Sequence, residues 1–318
     1  MGRTFILGAG FSKHITGGKL PVMSELGPEL REKFPWIAGL TDDDGFDLEK
    51  LLTWVDLAPW PTKTPSPPGN PEEIRTELKS WLAKRLDLPA DDGWKTSSRE
   101  LCRGLFKQGD VVLTFNYDCV LEHLLWQEGL WTRNGGYGDS PGLSDAATFG
   151  RQIKRSPVVI LKLHGSLNFE LKTTGSDAYL SPRIDNNLFP KIHTEWGHYP
   201  ETPTLTLPTF AKVFGENRTI IHLWHEAAEF LKNTTQLFII GYSMPRSDTM
   251  ARFLLSFYRP DTSGAHPKVA VLTNNKEESG RVWKQVYEVG QFGSDSVERV
   301  LLAPASDAKY QELLAHAA

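Results

Sequence analysis

The chain has 318 residues, 40% apolar and 23% charged, with a formal net charge of −4. That is enough sequence to bury a full core, and there is no basic excess to draw in nucleic acid. No apolar run approaches the roughly 18 residues of a membrane span, and no leader pattern precedes the first strand-like run, so a cytosolic protein is expected. The only cysteines, Cys102 and Cys119, belong to no Cys-x-x-Cys pair, which excludes a disulfide framework and a cysteine-based zinc site.

In chain order, Arg3 to Leu7 reads as a buried strand that ends in the turn Gly8-Ala9-Gly10-Phe11-Ser12. From about 22 to 108 the pattern is helical, with Leu48, Leu51, Leu52 and Val55 in one stretch and Ile74, Leu78, Trp81, Leu82 and Leu86 in another. The proline-rich Ala58 to Pro71 separates them as an irregular connection. We therefore expect one domain over 1–318, with a core of 1–21 and 109–318 and a helical insertion of about 22–108.

Asp110 to Leu113 reads as the second strand and Tyr117 to Glu128 as a helix. The glycine- and serine-rich Asn134 to Ser144 reads as a mobile surface loop and a candidate lid, and Val158 to Leu163 as the next strand. Thr173 to Pro208 looks irregular. A helix from Asn217 to Leu231 carries Ile220, Ile221, Trp224, Ala227, Ala228 and Leu231 on one side. Strands at Gln236–Ile240, Lys268–Leu272 and Val297–Leu302 follow, with helices at Ser247–Tyr258 and at the C-terminus. Alternating strands and helices predict an α/β fold with a doubly wound parallel sheet.

Five strand-like runs end in small or polar groups: Gly8-x-Gly10, Asn116, His164, Gly241-x-Ser243 and Asn274. In an open parallel sheet all such ends face one crevice, and these five would line one suited to a dinucleotide. Each has a plainer reading alone. Asn116 could cap the following helix, Asp118 could favour its dipole, and a lone histidine after a strand is often packed. The dehydrogenase fingerprint fails, because Lys13 stands where its third glycine belongs, and no Gly-Lys-Ser/Thr follows the turn. His222 and His225 have helical spacing, and His193 and His198 lie in an irregular stretch; no acidic partner or third ligand accompanies them, so no metal site is expected.

The set Gly8-Ala9-Gly10-Phe11-Ser12, Thr114-Phe115-Asn116-Tyr117-Asp118, Leu163-His164-Gly165, Gly241-Tyr242-Ser243-Met244-Pro245 and Val271-Leu272-Thr273-Asn274, in this order, resembles the Sir2 family, and in particular its prokaryotic Sir2-like branch. The resemblance implies a Rossmann-like NAD-binding domain. It implies that Gly8, Ala9, Gly10, Phe11 and Ser12 hold the pyrophosphate side, and that Asn116 faces the nicotinamide ribose and Asp118 the carboxamide. His164 would be the catalytic base, and Gly241, Ser243 and Asn274 would meet the adenosine half. The chain departs from sirtuin deacylases in lacking the zinc ribbon, in reading Gly18-Lys19-Leu20-Pro21-Val22 without Asp-Phe-Arg, and in carrying Phe115 in place of Gln.

The chemistry left is cleavage of the nicotinamide–ribose bond of NAD+, with NAD+ as substrate and no metal. The transition state resembles that of glycoside hydrolysis, but the leaving group is already cationic and needs little acid help. An imidazole titrating near 6.5 suits proton removal from a ribose hydroxyl or a water, and an asparagine can donate and accept to position either. The resemblance further implies a bacterial antiphage effector, which would need an activating partner or self-assembly. Two alternatives stand beside this reading: a non-catalytic NAD or ADP-ribose binder, and an NAD-dependent protein deacylase.

Overall fold

Six apolar runs pair, all in parallel, into one sheet of order β3-β2-β1-β6-β7-β8. They are β1 (Gly2–Leu7), β2 (Val111–Thr114), β3 (Val159–Lys162), β6 (Thr234–Ile240), β7 (Lys268–Leu272) and β8 (Glu298–Leu302). The computed structural model describes residues 2–40, 70–88, 95–139, 156–174, 177–182, 203–206, 218–245, 248–259, 268–290, 297–303 and 306–317. The chain winds outward from β1 through β2 to β3, then crosses back to place β6 on the other side of β1. The sheet is thus doubly wound and reverses direction between β1 and β6, where such sheets bind ligands beyond the strand carboxyl ends.

Every residue of β2 and β3 is buried, as are Leu237 to Ile240 of β6 and Val269 to Leu272 of β7. Strands covered on both faces read as continuous apolar runs, which is why they were legible. Phe5 stacks on Phe238 of the neighbouring strand at 4.7 Å, with Phe106 edge-on at 4.9 Å. At the amino end, Arg3 grips both oxygens of Asp110 at 2.8 and 2.5 Å, fixing how β1 enters beside β2.

Helices α1 (Ala9–Ile15), α5 (Val120–Gln127), α7 (Arg218–Lys232), α8 (Thr249–Leu255), α9 (Lys276–Gly290) and α10 (Asp307–Ala317) alternate with these strands. Helices α2 (Met23–Lys33) and α3 (Pro71–Leu86) build a satellite core in which Leu26, Leu30, Phe34 and Ile37 meet Ile74, Leu78 and Leu82. Asn70 starts α3 by accepting from the Glu73 amide at 3.0 Å, with Pro71 at the first helical position. Cys102 and Leu105 of α4 (Lys95–Leu105) belong instead to the main core.

Four expectations need correction. A hairpin of β4 (Phe169–Thr174) and β5 (Asp177–Pro182) occupies part of the stretch expected to be irregular. Helix α9 falls where no element was expected, and the helix expected from Tyr117 begins only at Val120. The described part of the expected lid contains a short helix, α6 (Arg133–Gly136), and the fully buried Tyr137, so 135–138 are packed core. Positions 140–144, the Leu48–Val55 stretch and nearly all of Ala58 to Pro71 lie outside the described residues. Among the described residues, no helix is long and apolar enough to cross a membrane.

Candidate functional site

One register row sets the geometry of the carboxyl edge. Leu7 is aligned with Thr114 and Thr114 with Lys162; on the other side Leu7 is aligned with Ile240 and Ile240 with Leu272. Gly8 and Gly241 stand one residue beyond this row, and Asn116, His164 and Asn274 stand two beyond it. Five strands thus end at one level and present the five polar turns that the sequence singled out.

The glycine turn and the Gly241 turn interlock. The Gly8 amide donates to Ile240 O at 3.0 Å, the Gly10 amide to Gly241 O at 2.9 Å and the Phe11 amide to Gly8 O at 3.0 Å. A Cβ on Gly8 would lie 2.5 Å from Gly241 O, and one on Gly241 would lie 2.1 Å from Phe11 N, with Gly241 at φ 62°. These glycines permit the close approach of two turns, a different reason from the approach to phosphate expected from sequence. The amides of Gly8, Gly10 and Phe11 are committed to protein carbonyls, and the Phe11 ring is buried in the core. Among the described residues, the Ala9 amide and the Ser12 hydroxyl donate to no protein carbonyl.

Asn116 is not a helix cap. Its Nδ2 donates to Gly8 O at 3.0 Å and to Ser12 Oγ at 2.9 Å, and the Thr114 hydroxyl accepts its backbone amide at 3.1 Å. Because Gly8 O can only accept, Nδ2 is fixed on that side, and Oδ1 has no partner among the described residues. Cys119 occupies the N-cap position without a side-chain bond, and Asp118, one residue earlier, accepts the Val120 amide on its Oδ1 at 3.1 Å.

His164 is 5% exposed and sits among aromatic rings, with Phe115 at 4.9 Å, Trp224 at 6.3 Å and Tyr117 at 6.4 Å between centroids. Phe115 in turn stacks on Tyr242 at 4.7 Å, and the Trp224 indole donates to Leu163 O at 2.9 Å. The turn is held from the far side by residues 203–206: the Thr206 amide donates to His164 O at 2.8 Å and the Ser166 amide to Thr204 O at 3.2 Å. Gly165 has φ 81°, and a Cβ there would lie 2.2 Å from Thr204 O.

Across the switch point, Arg281 donates to Ser243 O at 2.5 Å and Met244 O at 3.2 Å, which holds the Gly241 turn against α9. Ser243 and Asn274 are exposed, and the Asn274 amide donates to Glu278 at 3.3 Å. His222 and His225 lie on the exposed side of α7, whereas His193 and His198 lie outside the described residues. Among the described residues, no three His, Cys, Asp or Glu side chains are grouped to hold a metal.

The match that decides the family spans more than half of the chain. The description SIR2-like domain fits residues 110–289, which hold Asn116, His164, Gly241, Ser243 and Asn274. The chain belongs to the SIR2-like domain family. The glycine turn precedes the matched span, and the register row joins it to the same edge. No curated protein matches in sequence. Among solved structures the chain is similar to a Sir2 homolog–NAD complex at 13% identity and a TM-score of 0.44, covering 99% of this chain and 88% of that one. It is also similar to a serine mutant of a Sir2 homologue with ADP-ribose, at 12% identity and a TM-score of 0.38, covering 91% and 92%. A Sir2 homologue mutant with 2'-O-acetyl ADP-ribose stands at 13% and 0.42, covering 99% and 91%.

The sequence did not reveal what lies beneath this SIR2-like edge. Lys162 and Glu122, each 1% exposed, form an ion pair at 3.0 Å inside the core. Lys162 also donates to Asp118 O. Burial opposes both charges: it pushes the Glu122 carboxyl up, and it works against the Lys162 ammonium, which Glu122, Cys119 and Asp118 nonetheless hold above its ordinary value. Burial, with Glu122 adding to it, also pushes the Cys119 thiol up to about 12, so that thiol is no nucleophile at neutral pH. The Tyr137 hydroxyl lies 3.4 Å from Glu122 and accepts from Asn168 at 3.0 Å.

Proposed function

We propose that the protein is an NAD+ glycohydrolase that releases nicotinamide and ADP-ribose. Membership in the SIR2-like family supports NAD-related activity. The observation that carries the reading is the register row, which brings Gly8, Asn116 and His164 off three adjacent strands at one level. Five strands at a spacing of about 4.8 Å offer an edge of about 20 Å, long enough for an extended dinucleotide.

The Ala9 amide and the Ser12 hydroxyl receive the pyrophosphate on a floor shaped by Gly8, Gly10, Phe11 and Gly241. Ser243 and Asn274 meet the adenosine half, and Asp118 meets the carboxamide through the oxygen that does not accept from Val120. Asn116 Oδ1, with its amide nitrogen already fixed, orients the nicotinamide ribose or the attacking water. As the C1′–N bond breaks, nicotinamide leaves as a neutral molecule and water forms the new C1′–O bond. His164 takes the proton from that water and returns it to solvent.

An NAD+-depleting enzyme of this kind suits a cytoplasmic antiphage effector held in check until a partner or self-assembly switches it on. A second reading, a non-catalytic NAD or ADP-ribose binder, is favoured by one observation: the His164 ring is packed in the way a structural histidine would be. Incubation with NAD+ followed by product chromatography separates the two. Nicotinamide release supports hydrolysis, binding without release supports the binder, and release only with an acyl-lysine peptide supports a deacylase.

A further inference from the structure

The segment Asn116 to Cys119 is bonded to both flanks of the His164 turn. On the near side Lys162, two residues before His164, reaches through the core to Asp118 O while its charge is met by Glu122 of α5. On the far side the Ser166 hydroxyl and the Leu167 amide donate to Tyr117 O at 3.3 and 2.9 Å, and Cys119 Sγ lies 3.5 Å from Ser166 Oγ. The far-side contacts are neutral, local to the turn and of ordinary strength. The near-side contact requires an ammonium inside a dry core, where an ion pair is often no more stabilising than apolar side chains of similar volume. An arrangement that gains so little stability, placed beside the residues of interest, points to a geometric role.

We propose that Lys162 is a positioning residue: bridged between Asp118 O and Glu122, it sets how the Asn116 loop sits against the His164 turn. The proposal rests on the glycohydrolase reading for its catalytic consequence, whereas its structural consequence stands without it. Asn168 belongs to the same buried array, its Nδ2 on Tyr137 and its Oδ1 without a partner among the described residues.

The test compares the full chain with Lys162→Met/Glu122→Leu, which replaces the pair by apolar groups, and with Lys162→Arg, which keeps charge and donors. Amide hydrogen exchange is read in segments 116–119 and 163–167 and in strands β1 and β6, and NAD+ turnover is measured beside it. In the double variant both loop segments exchange about 10-fold faster or more, while the strands stay protected. The kcat for NAD+ falls about 10- to 100-fold with KM changed less than about 3-fold, as for supporting residues that orient a reacting group. Lys162→Arg keeps the charge and the donors to Asp118 O and Glu122, so it raises loop exchange less than the double variant does, even though its bulkier head group strains the buried site.

A double variant with parent-like exchange in both loop segments overturns the assignment. So does one in which the whole sheet loses protection, because the pair then supports the fold and not the site. If the parent protein turns over no NAD+, the glycohydrolase reading fails, and the exchange data decide the positioning role alone.

Discussion

The side-chain nitrogen of Asn116, in the loop after β2, donates to the hydroxyl of Ser12 in α1 at 2.9 Å. Together with its bond to Gly8 O, this makes the loop after β2 and the start of α1 one polar unit. The amide oxygen has no partner among the described residues and its orientation is already fixed, and such preorganisation is what a positioning group needs.

Asn116→Ala removes both bonds and leaves Gly8 O and Ser12 Oγ without that donor. A stability loss of about 1–3 kcal/mol is expected, read by chemical denaturation. Asn116→Asp should be worse than Ala at neutral pH, because a carboxylate would set an acceptor against Gly8 O, which can only accept. An Asp variant as stable as the parent would refute the bonding described.

The two glycines at Gly241 and Gly280 should respond oppositely to alanine. At Gly241, left-handed backbone and a Cβ 2.1 Å from Phe11 N leave no room, so Gly241→Ala is expected to cost more than about 3 kcal/mol. At Gly280, inside α9, a Cβ meets nothing within 4 Å, and Gly280→Ala is expected to stabilise by about 0.5–1 kcal/mol. Thermal denaturation of the two variants checks the pair of signs.

The strands were legible because buried parallel strands are written as apolar runs, and their ends named Gly8, Asn116, His164, Gly241 and Asn274 directly. The support beneath them was not. Lys162 closes a strand and reads as an ordinary polar end, while Glu122 reads as a residue on a helix surface. Nothing in a spacing of 40 positions announces that the two meet in the core. The plainer cap reading of Asn116 fails for a related reason: capping is a local rule, whereas its side-chain partners, Gly8 and Ser12, belong to the turn and helix that follow β1. The hairpin did leave a signal, since Phe169-Glu170-Leu171-Lys172 alternates before Gly175, and so did α9 in the spacing of Val282 and Val286.

Phe115 links the two halves of the edge, stacked on Tyr242 and set against His164. Phe115→Leu keeps an apolar filler but gives up ring-on-ring contacts worth about 0.5–1.5 kcal/mol each. The expected outcome is a modest drop in melting temperature and a larger drop in kcat than in affinity for NAD+. Steady-state kinetics beside NAD+ titration of the His164→Ala background distinguishes the two effects.

Acid should loosen the α2–α3 module. The hydrogen bonds from Arg85 hold the Glu29 carboxyl below its ordinary value, at 2.6 and 2.9 Å. A depressed carboxyl contributes stability above its unfolded pKa and loses it as pH falls through the lower folded value. The pair is part-exposed, so the contribution is small and screened by salt. Hydrogen exchange in 71–86 should rise below the ordinary carboxylate range, and Arg85→Ala should remove that increment of acid sensitivity.

The most direct measurement is nicotinamide release from NAD+ by the purified protein, alone and with candidate activators, followed by product chromatography. The account predicts nicotinamide and ADP-ribose without any acylated peptide, with the rate reduced about 100-fold or more in His164→Ala and in Asn116→Ala while both variants stay folded. Release that persists undiminished in His164→Ala, or NAD+ binding with no release under any condition, would contradict it.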